Sequence, residues 1–413
     1  MAPFKQVLKQ IRGIPEPLGE TGYLDHRHFR TPELLAKYPE ELLYFIVPEK
    51  LPEKPPLLIL LHGGSVDRET PHHYLREPMP HAFCQSPRSD LREILGAYRL
   101  VTVMPSLYPN VPNGWCLPEC ETYLADVVRE AAALFDVDPD RVFLAGMSMG
   151  GFGAAHICQC WPDRYAGILE VAGSWRLALW RNTMNTPFWF CHGINDAKYK
   201  IRGRFTDVAY GRLCDRLMNE AGVPHRYLEH DGGHQFHEPF LREFLGWAET
   251  NRRNNRPEKV FLSTPAGWRI WQVHAVKSRF WISVEKTGPG QIACHRCIPD
   301  DRFYGGHTPD KFDFSETEWN SWQLRYRKET IDGAIIEATR EGNRFLVRGQ
   351  NIAQFSIWPD AQMVDFRKPI TVEYNGKEIF EGRVIPSPDV MLESYKLRRD
   401  YGLLYPAKIS ITV

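Results

Sequence analysis

The sequence predicts an α/β protein in two parts: a mostly parallel sheet flanked by helices, followed by a C-terminal all-β, sandwich-like domain. Three observations carry that prediction. From about residue 57 to residue 247, short apolar runs alternate with amphipathic stretches, the pattern of βαβ units. A polar, basic stretch, Asn251-Arg252-Arg253-Asn254-Asn255-Arg256-Pro257, then interrupts the alternation. Beyond it strand-like runs dominate, among them Arg269-Ile270-Trp271-Gln272-Val273-His274, Arg279-Phe280-Trp281-Ile282-Ser283-Val284 and Arg344-Phe345-Leu346-Val347.

The elements follow in order. Leu57-Leu58-Ile59-Leu60-Leu61 reads as a buried strand ended by His62-Gly63-Gly64, and Leu100-Val101-Thr102-Val103-Met104 as the next, stopped by Pro105. Residues 120–135 place Cys120, Tyr123, Leu124, Val127, Val128, Ala131, Ala132 and Phe135 at helical spacing, so one face packs on the sheet. Asp138-Pro139-Asp140 is a turn into the strand Val142-Phe143-Leu144-Ala145. Gly146-Met147-Ser148-Met149-Gly150 follows, then the small-residue helix start Gly151-Phe152-Gly153-Ala154-Ala155. Gly167–Val171, Phe188-Trp189-Phe190-Cys191 and His225-Arg226-Tyr227-Leu228-Glu229 are the later strands, and residues 239–250 the closing helix. In the β domain, Asn375-Gly376 between Ile370–Tyr374 and Lys377-Glu378-Ile379-Phe380 is a two-residue hairpin signal. The expected boundaries are a catalytic domain over 1–250 with an N-terminal extension 1–40, a linker over 251–257, and the β domain over 258–413.

Composition narrows the function classes. The 413 residues exceed one ordinary core, and Lys+Arg and Asp+Glu balance at 51 each, so nothing favours nucleic acid or an anionic membrane as partner. No apolar run approaches the roughly 18 residues of a membrane span. The first residues lack the apolar core of a signal peptide, and nine cysteines is an odd count, so reduced thiols in a cytoplasmic protein are expected. Cys294-His295-Arg296-Cys297 has zinc-type spacing, but no second close pair follows and His307 is the nearest spare candidate. Unpaired thiols are the simpler reading, and neither metal nor cofactor is expected. Packing is likewise the simpler role for Cys116 and Cys120.

The chemistry centres on Ser148. A serine placed between a strand and a helix by glycines reads as a nucleophile on a sharp turn, where only a nearly bare backbone allows close approach. A hydroxyl needs a base, an orienter for that base, and donors for the oxyanion. In a parallel sheet these come from loops at the carboxyl ends of strands. His234, in Asp231-Gly232-Gly233-His234, follows the last strand, and Asp196, in His192-Gly193-Ile194-Asn195-Asp196, follows the preceding one. The N–H of Met149 is one oxyanion donor, and Gly64, with Gly63 as alternative, supplies the other. Singly each has a plain structural reading: a strand-end turn for His62-Gly63-Gly64, a helix cap for Asp196, a surface-loop histidine for His234, with His237 competing. Jointly, in order and at strand ends, they point to a catalytic triad.

The order Ser, Asp, His is that of the α/β-hydrolase fold. Residues of about 40–250 resemble α/β-hydrolase esterases of the polyhydroxybutyrate depolymerase, feruloyl esterase and prolyl oligopeptidase-like group. The resemblance is carried by Leu61-His62-Gly63-Gly64, by Asp138-Pro139-Asp140-Arg141-Val142 leading into Gly146–Gly151, by Pro162-Asp163-Arg164-Tyr165-Ala166, by His192–Asp196 and by Gly233-His234. It implies Ser148 as nucleophile, His234 as base and Asp196 as orienter. Asp196 is followed by Ala197-Lys198-Tyr199, where these relatives often carry a valine and a proline. The β domain resembles C-terminal extensions of such esterases and carries no functional motif.

Loops 65–90 and 108–119 are the expected lid or wall, and only a small cap fits over 174–186. Trp175 and Trp115 are candidate substrate-binding aromatics, with Trp180 more simply a packing residue. The leading expectation is a serine carboxylic ester hydrolase acting on a small-molecule ester, of short-chain or aryl/feruloyl type. A prolyl oligopeptidase-like peptidase is the alternative, although the stretch before Leu57 is too short for the β-propeller such enzymes usually carry. A third reading gives the β domain the main role, in carbohydrate or subunit binding, including homo-oligomer formation.

Overall fold

The computed structural model describes residues 2–12, 18–64, 91–109, 114–196, 206–265, 276–298 and 324–413. The expected loop 65–90, His307 and the Arg269–His274 run therefore lie outside the described residues. In chain order the first part comprises α1 (Ala2–Arg12), β1 (Gly22–Arg27), α2 (Pro32–Lys37), β2 (Leu43–Val47), β3 (Leu57–Leu61), α3 (Leu91–Gly96) and β4 (Val101–Pro105). It continues with α4 (Pro118–Phe135), β5 (Val142–Met147), α5 (Met149–Cys160), β6 (Gly167–Val171), the short β7 (Leu177–Ala178), β8 (Phe188–Gly193), α6 (Val208–Ala221), β9 (His225–His230) and α7 (Glu238–Ala248).

Eight of these strands form one sheet in the order β1-β2-β4-β3-β5-β6-β8-β9. The pairs from β4 to β9 are parallel, and β1 and β2 add an antiparallel edge. This is the sheet order of an α/β-hydrolase. The two faces are legible in β3: Leu57, Ile59 and Leu61 join the core with α4 and α5, whereas Leu58 and Leu60 join the opposite core with α3 and α7. Alternate side chains of a strand point to opposite faces, so a strand covered on both sides must be apolar throughout. The extra strands β1 and β2 lie before the run from which the sequence alternation becomes clear.

Two further sheets follow. β10 (Lys259–Pro265), β13 (Gln291–Ile298), β14 (Arg325–Glu341), β15 (Arg344–Gln350), β17 (Ile370–Tyr374) and β18 (Lys377–Gly382) build one; β11 (Ser278–Arg279), β12 (Ile282–Thr287), β16 (Ile352–Ile357) and β19 (Ile409–Thr412) build the other, with α8 (Pro388–Arg398) between β18 and β19. Trp281 on Phe345 and Phe355 on Tyr374 link the two sheets, with ring centres 5.4 and 5.6 Å apart. At the β17–β18 hairpin Asn375 and Gly376 take φ of 49° and 84°, the left-handed pair that such a two-residue turn requires. One pair is not antiparallel: β15 runs parallel to β17. Between them the chain leaves for the other sheet through β16, a crossover long enough to return in the same direction.

The two parts share hydrogen bonds and a core. β7, from the first part, pairs with β13 of the second. Val260, Leu262, Trp281 and Phe345 belong to the same apolar cluster as Leu57 and Ile59. Residues 251–257, expected as a linker, are pinned on both sides. The guanidinium of Arg253 is buried, donates from Nε to Asp140 Oδ1 at 3.0 Å, and forks onto Asp400 at 2.6 and 2.7 Å. Asp163, from the Pro162–Ala166 motif, accepts from Arg279 Nη1 at 2.8 Å and from the Phe280 N–H at 2.9 Å. Arg279 is fully buried, and its other branch donates to the Cys160 carbonyl at 3.0 Å.

Among the described residues no helix is long and apolar enough to cross a membrane. Cys294 and Cys297 lie three positions apart on the extended β13, so their side chains leave opposite faces of the strand and do not converge on one ion. Burial holds both thiols up, Cys294 at about 11.

Asp163→Ala is expected to destabilise the whole chain by about 3–5 kcal/mol, because it leaves the Arg279 charge buried and unpaired. Urea denaturation checks this, and a loss below about 1 kcal/mol would show that the junction contributes little.

Candidate active site

Ser148 sits between β5 and α5 with φ 59° and ψ −120°, a backbone conformation disfavoured for any residue bearing a Cβ. Holding it there costs on the order of 1–3 kcal/mol, which neighbouring contacts must offset. Ser148 N–H donates to the Val171 carbonyl at 2.9 Å, and Phe152 N–H donates to the Ser148 carbonyl at 2.9 Å. Glycines allow the approach. A Cβ on Gly146 would overlap the Gly150 carbonyl, one on Gly150 the Leu61 carbonyl, and one on Gly151 the Val171 carbonyl. The turn therefore contacts both β3 and β6, and Ser148 emerges at the carboxyl end of the sheet.

β8 and β9 are neighbours, and the loops that follow them are joined by backbone bonds from Ile194 N–H to the His230 carbonyl at 2.9 Å and from Asn195 N–H to the Gly232 carbonyl at 3.1 Å. A Cβ on Gly193 would overlap the Gly232 and Gly233 carbonyls, so a glycine is required where the loops meet. That contact brings His234 onto Asp196, with Nδ1 and Oδ2 2.9 Å apart. Asp196 is fully buried, and its other oxygen accepts from Thr206 Oγ1 at 2.7 Å. Thr206 escaped the sequence reading because it lies ten residues beyond Asp196 and belongs to no motif. The histidine ring is partly exposed, as a group that exchanges protons with a substrate must be. His237 is placed otherwise: it flanks α7 and stacks on His230 with ring centres 5.1 Å apart. Among the described residues Ser148 Oγ makes no hydrogen bond, so the structure brings His234 and Asp196 together but does not join Ser148 to them directly.

His62 is buried, and burial pulls its imidazole down to about 4, so it is neutral near pH 7. Its Nδ1 lies 2.9 Å from the Gly63 carbonyl. The N–H groups of Gly63, Gly64 and Met149 donate to no backbone carbonyl among the described residues. Trp115, expected as a substrate wall, is instead fully buried. Its indole N–H donates to the His62 carbonyl at 3.3 Å, its ring meets His62 edge-on, and its Cβ fills the space a side chain on Gly153 would need. It supports the glycine loop from behind. Trp175 is 5% exposed and packs edge-on against Trp180 with ring centres 5.4 Å apart; its indole N–H has no partner among the described residues.

No family model and no curated protein matches this chain. Among solved structures, it is similar to a thermostable esterase at 19% identity and a TM-score of 0.39, over 56% of this chain and 63% of that one, so it spans under two thirds of that relative. The apoenzyme of the Staphylococcus aureus S-formylglutathione hydrolase aligns at 18% identity and a TM-score of 0.39, over 57% of this chain and 99% of that one. A ferulic acid esterase aligns at 18% and 0.38, over 51% and 92%.

If the His234–Asp196 pair is the base of a hydrolase, Thr206→Val lowers kcat on a p-nitrophenyl ester about tenfold with KM little changed, because a buried carboxylate oxygen loses its donor. Steady-state kinetics at neutral pH measures this. An unchanged kcat would show that Asp196 needs no second anchor.

Proposed function

We propose that the chain is a serine carboxylic ester hydrolase that works through an acyl-enzyme. The supporting observation is the His234–Asp196 pair, 2.9 Å apart at the ends of adjacent strands, two strands along the sheet from a serine held at φ 59°. In this reading Ser148 Oγ attacks the ester carbonyl while His234 Nε2 takes its proton. Asp196, dry and hydrogen-bonded to Nδ1, fixes the tautomer and stabilises the imidazolium that forms. The amides of Met149 and of Gly64, or Gly63, face the developing oxyanion, an arrangement worth about 3–4 kcal/mol per well-placed donor. His234 returns the proton to the departing alcohol, and the cycle repeats with water as nucleophile. The reaction calls on no cofactor. Trp175, at the carboxyl end of β6, is the candidate wall for the acyl or alcohol group. Short-chain and aryl or feruloyl esters are the substrates proposed, with homo-oligomer formation through the β domain a further part of the reading.

Purified protein should hydrolyse p-nitrophenyl acetate, and Ser148→Ala should lower kcat by at least about 10³-fold. Wild-type turnover by that variant would remove Ser148 from the mechanism. His234→Ala should cost a comparable factor, whereas His237→Ala should keep kcat within about threefold; the reverse result would exchange the base. Faster cleavage of proline-containing peptides than of any ester would turn the reading to a peptidase.

A further inference from the structure

The end of β6 is a strained turn, with Ala172 at φ 51°. The next residue, Gly173, has both its backbone polar groups taken by side chains. Its N–H donates to Glu170 Oε1, and its carbonyl accepts from His192 Nε2 at 3.0 Å. These two side chains come from adjacent strands, β6 and β8, are almost wholly buried, and stand 3.6 Å apart. Neither belongs to the proposed triad. A Glu and a His on neighbouring strands each direct a polar atom at this one glycine, and His192 Nδ1 stays buried without a partner among the described residues, a burial cost that holding the glycine would explain.

What Gly173 touches explains the need. A Cβ on Gly173 would overlap the Gly151 backbone, one residue past the glycine that packs on β3, so the turn is wedged against the start of α5. The Val171 carbonyl, two residues earlier, accepts the N–H of Ser148, and Trp175 lies two residues later. We infer that Glu170 and His192 are positioning residues that clamp Gly173 and thereby hold the Val171 carbonyl under Ser148 and the backbone leading to Trp175. This inference rests on the hydrolase reading for its kinetic consequences, but the clamp itself is a matter of backbone order.

The clamp has a defined charge state. Burial, opposed by the Gly173 N–H and reinforced by the Asp196 charge, lifts Glu170 to about 8, so it is a neutral acid near pH 7. Burial takes His192 down to about 4, leaving it neutral as well. Among the described residues, the other titratable groups facing Glu170 are Cys191 on β8, Tyr227 on β9 and Cys214 on α6. As pH rises through about 8, Glu170 loses its proton and a second negative charge enters the dry space beside Asp196. Desolvation of the new charge and its repulsion from Asp196 together outweigh the stronger acceptor it offers the Gly173 N–H, so the turn loosens and kcat falls.

The test compares wild type with Glu170→Gln and Glu170→Leu in p-nitrophenyl acetate hydrolysis from about pH 6 to 9.5, alongside amide hydrogen exchange of the 171–175 segment. Glu170→Leu removes the acceptor, so kcat should fall about 10- to 100-fold with KM within about threefold, and the Gly173 amide should lose protection. Glu170→Gln keeps the acceptor but cannot ionise. It should restore neutral-pH kcat to within about threefold and lack the decline near pH 8 that wild type shows. Unchanged exchange and kcat in Glu170→Leu, or the same alkaline decline in Glu170→Gln, overturns the clamp. Should Glu170→Leu fail to fold, exchange and the pH profile of Glu170→Gln decide alone. A wild-type protein inert towards every ester would sink the hydrolase reading, while the exchange comparison would still judge the clamp.

Discussion

Everything at the carboxyl end of the large sheet depends on one backbone constraint: Ser148 must stay at a positive φ while bearing a side chain. The local chain supplies one hydrogen bond towards this, from the Phe152 N–H to the Ser148 carbonyl. The rest comes from two neighbours in space, the Leu61 carbonyl of β3 against Gly150 and the Val171 carbonyl of β6 on the Ser148 N–H and against Gly151. Backbone passes where a Cβ would collide at three places, Gly146 against the Gly150 carbonyl, Gly150 against Leu61 and Gly151 against Val171, which is why glycine occupies 146, 150 and 151. The strain is thus tied to the parallel pairing of β3, β5 and β6, and a shift in any of the three reaches the serine.

The second organising feature is the polar junction between the parallel sheet and the C-terminal strands. Arg253 between Asp140 and Asp400, and Arg279 on Asp163, are charges removed from water, and each is satisfied only when both parts are present. Pairs of this kind add little net stability but penalise any arrangement that leaves one partner alone. They specify how the parts meet. The β7–β13 pairing then continues the C-terminal sheet into the segment that follows Trp175, so the β domain is structurally connected to the chain leaving the end of β6.

Legibility followed the range of the determining interactions. β3, β5 and β6, the face of α4, and the Asn375-Gly376 hairpin were readable because period, run length and turn chemistry are local. β15 beside β17 in parallel was not, because the return path runs through another sheet. Arg253 falls in the stretch read as a polar linker and Arg279 heads a strand-like run, and nothing nearby in sequence announces that an aspartate more than a hundred residues away pairs with each. Trp115 shows the same limit at the site: proximity to the serine was foreseeable, but whether the ring faced the substrate or the back of the glycine loop depended on packing against His62 and Gly153.

By itself, then, the sequence determined the α/β alternation, the strand-end placement of Ser148, Asp196 and His234, and the change to β structure after residue 257, because each is written in short-range pattern. Tertiary structure alone decided that His234 rather than His237 lies on Asp196, that Thr206 holds the carboxylate from its other side, and that Glu170 and His192 converge on Gly173. The physical reason is common to all three. A hydrogen bond of about 3 Å is set by which loops the parallel strands bring together, and residues far apart along the chain carry no mark of that meeting.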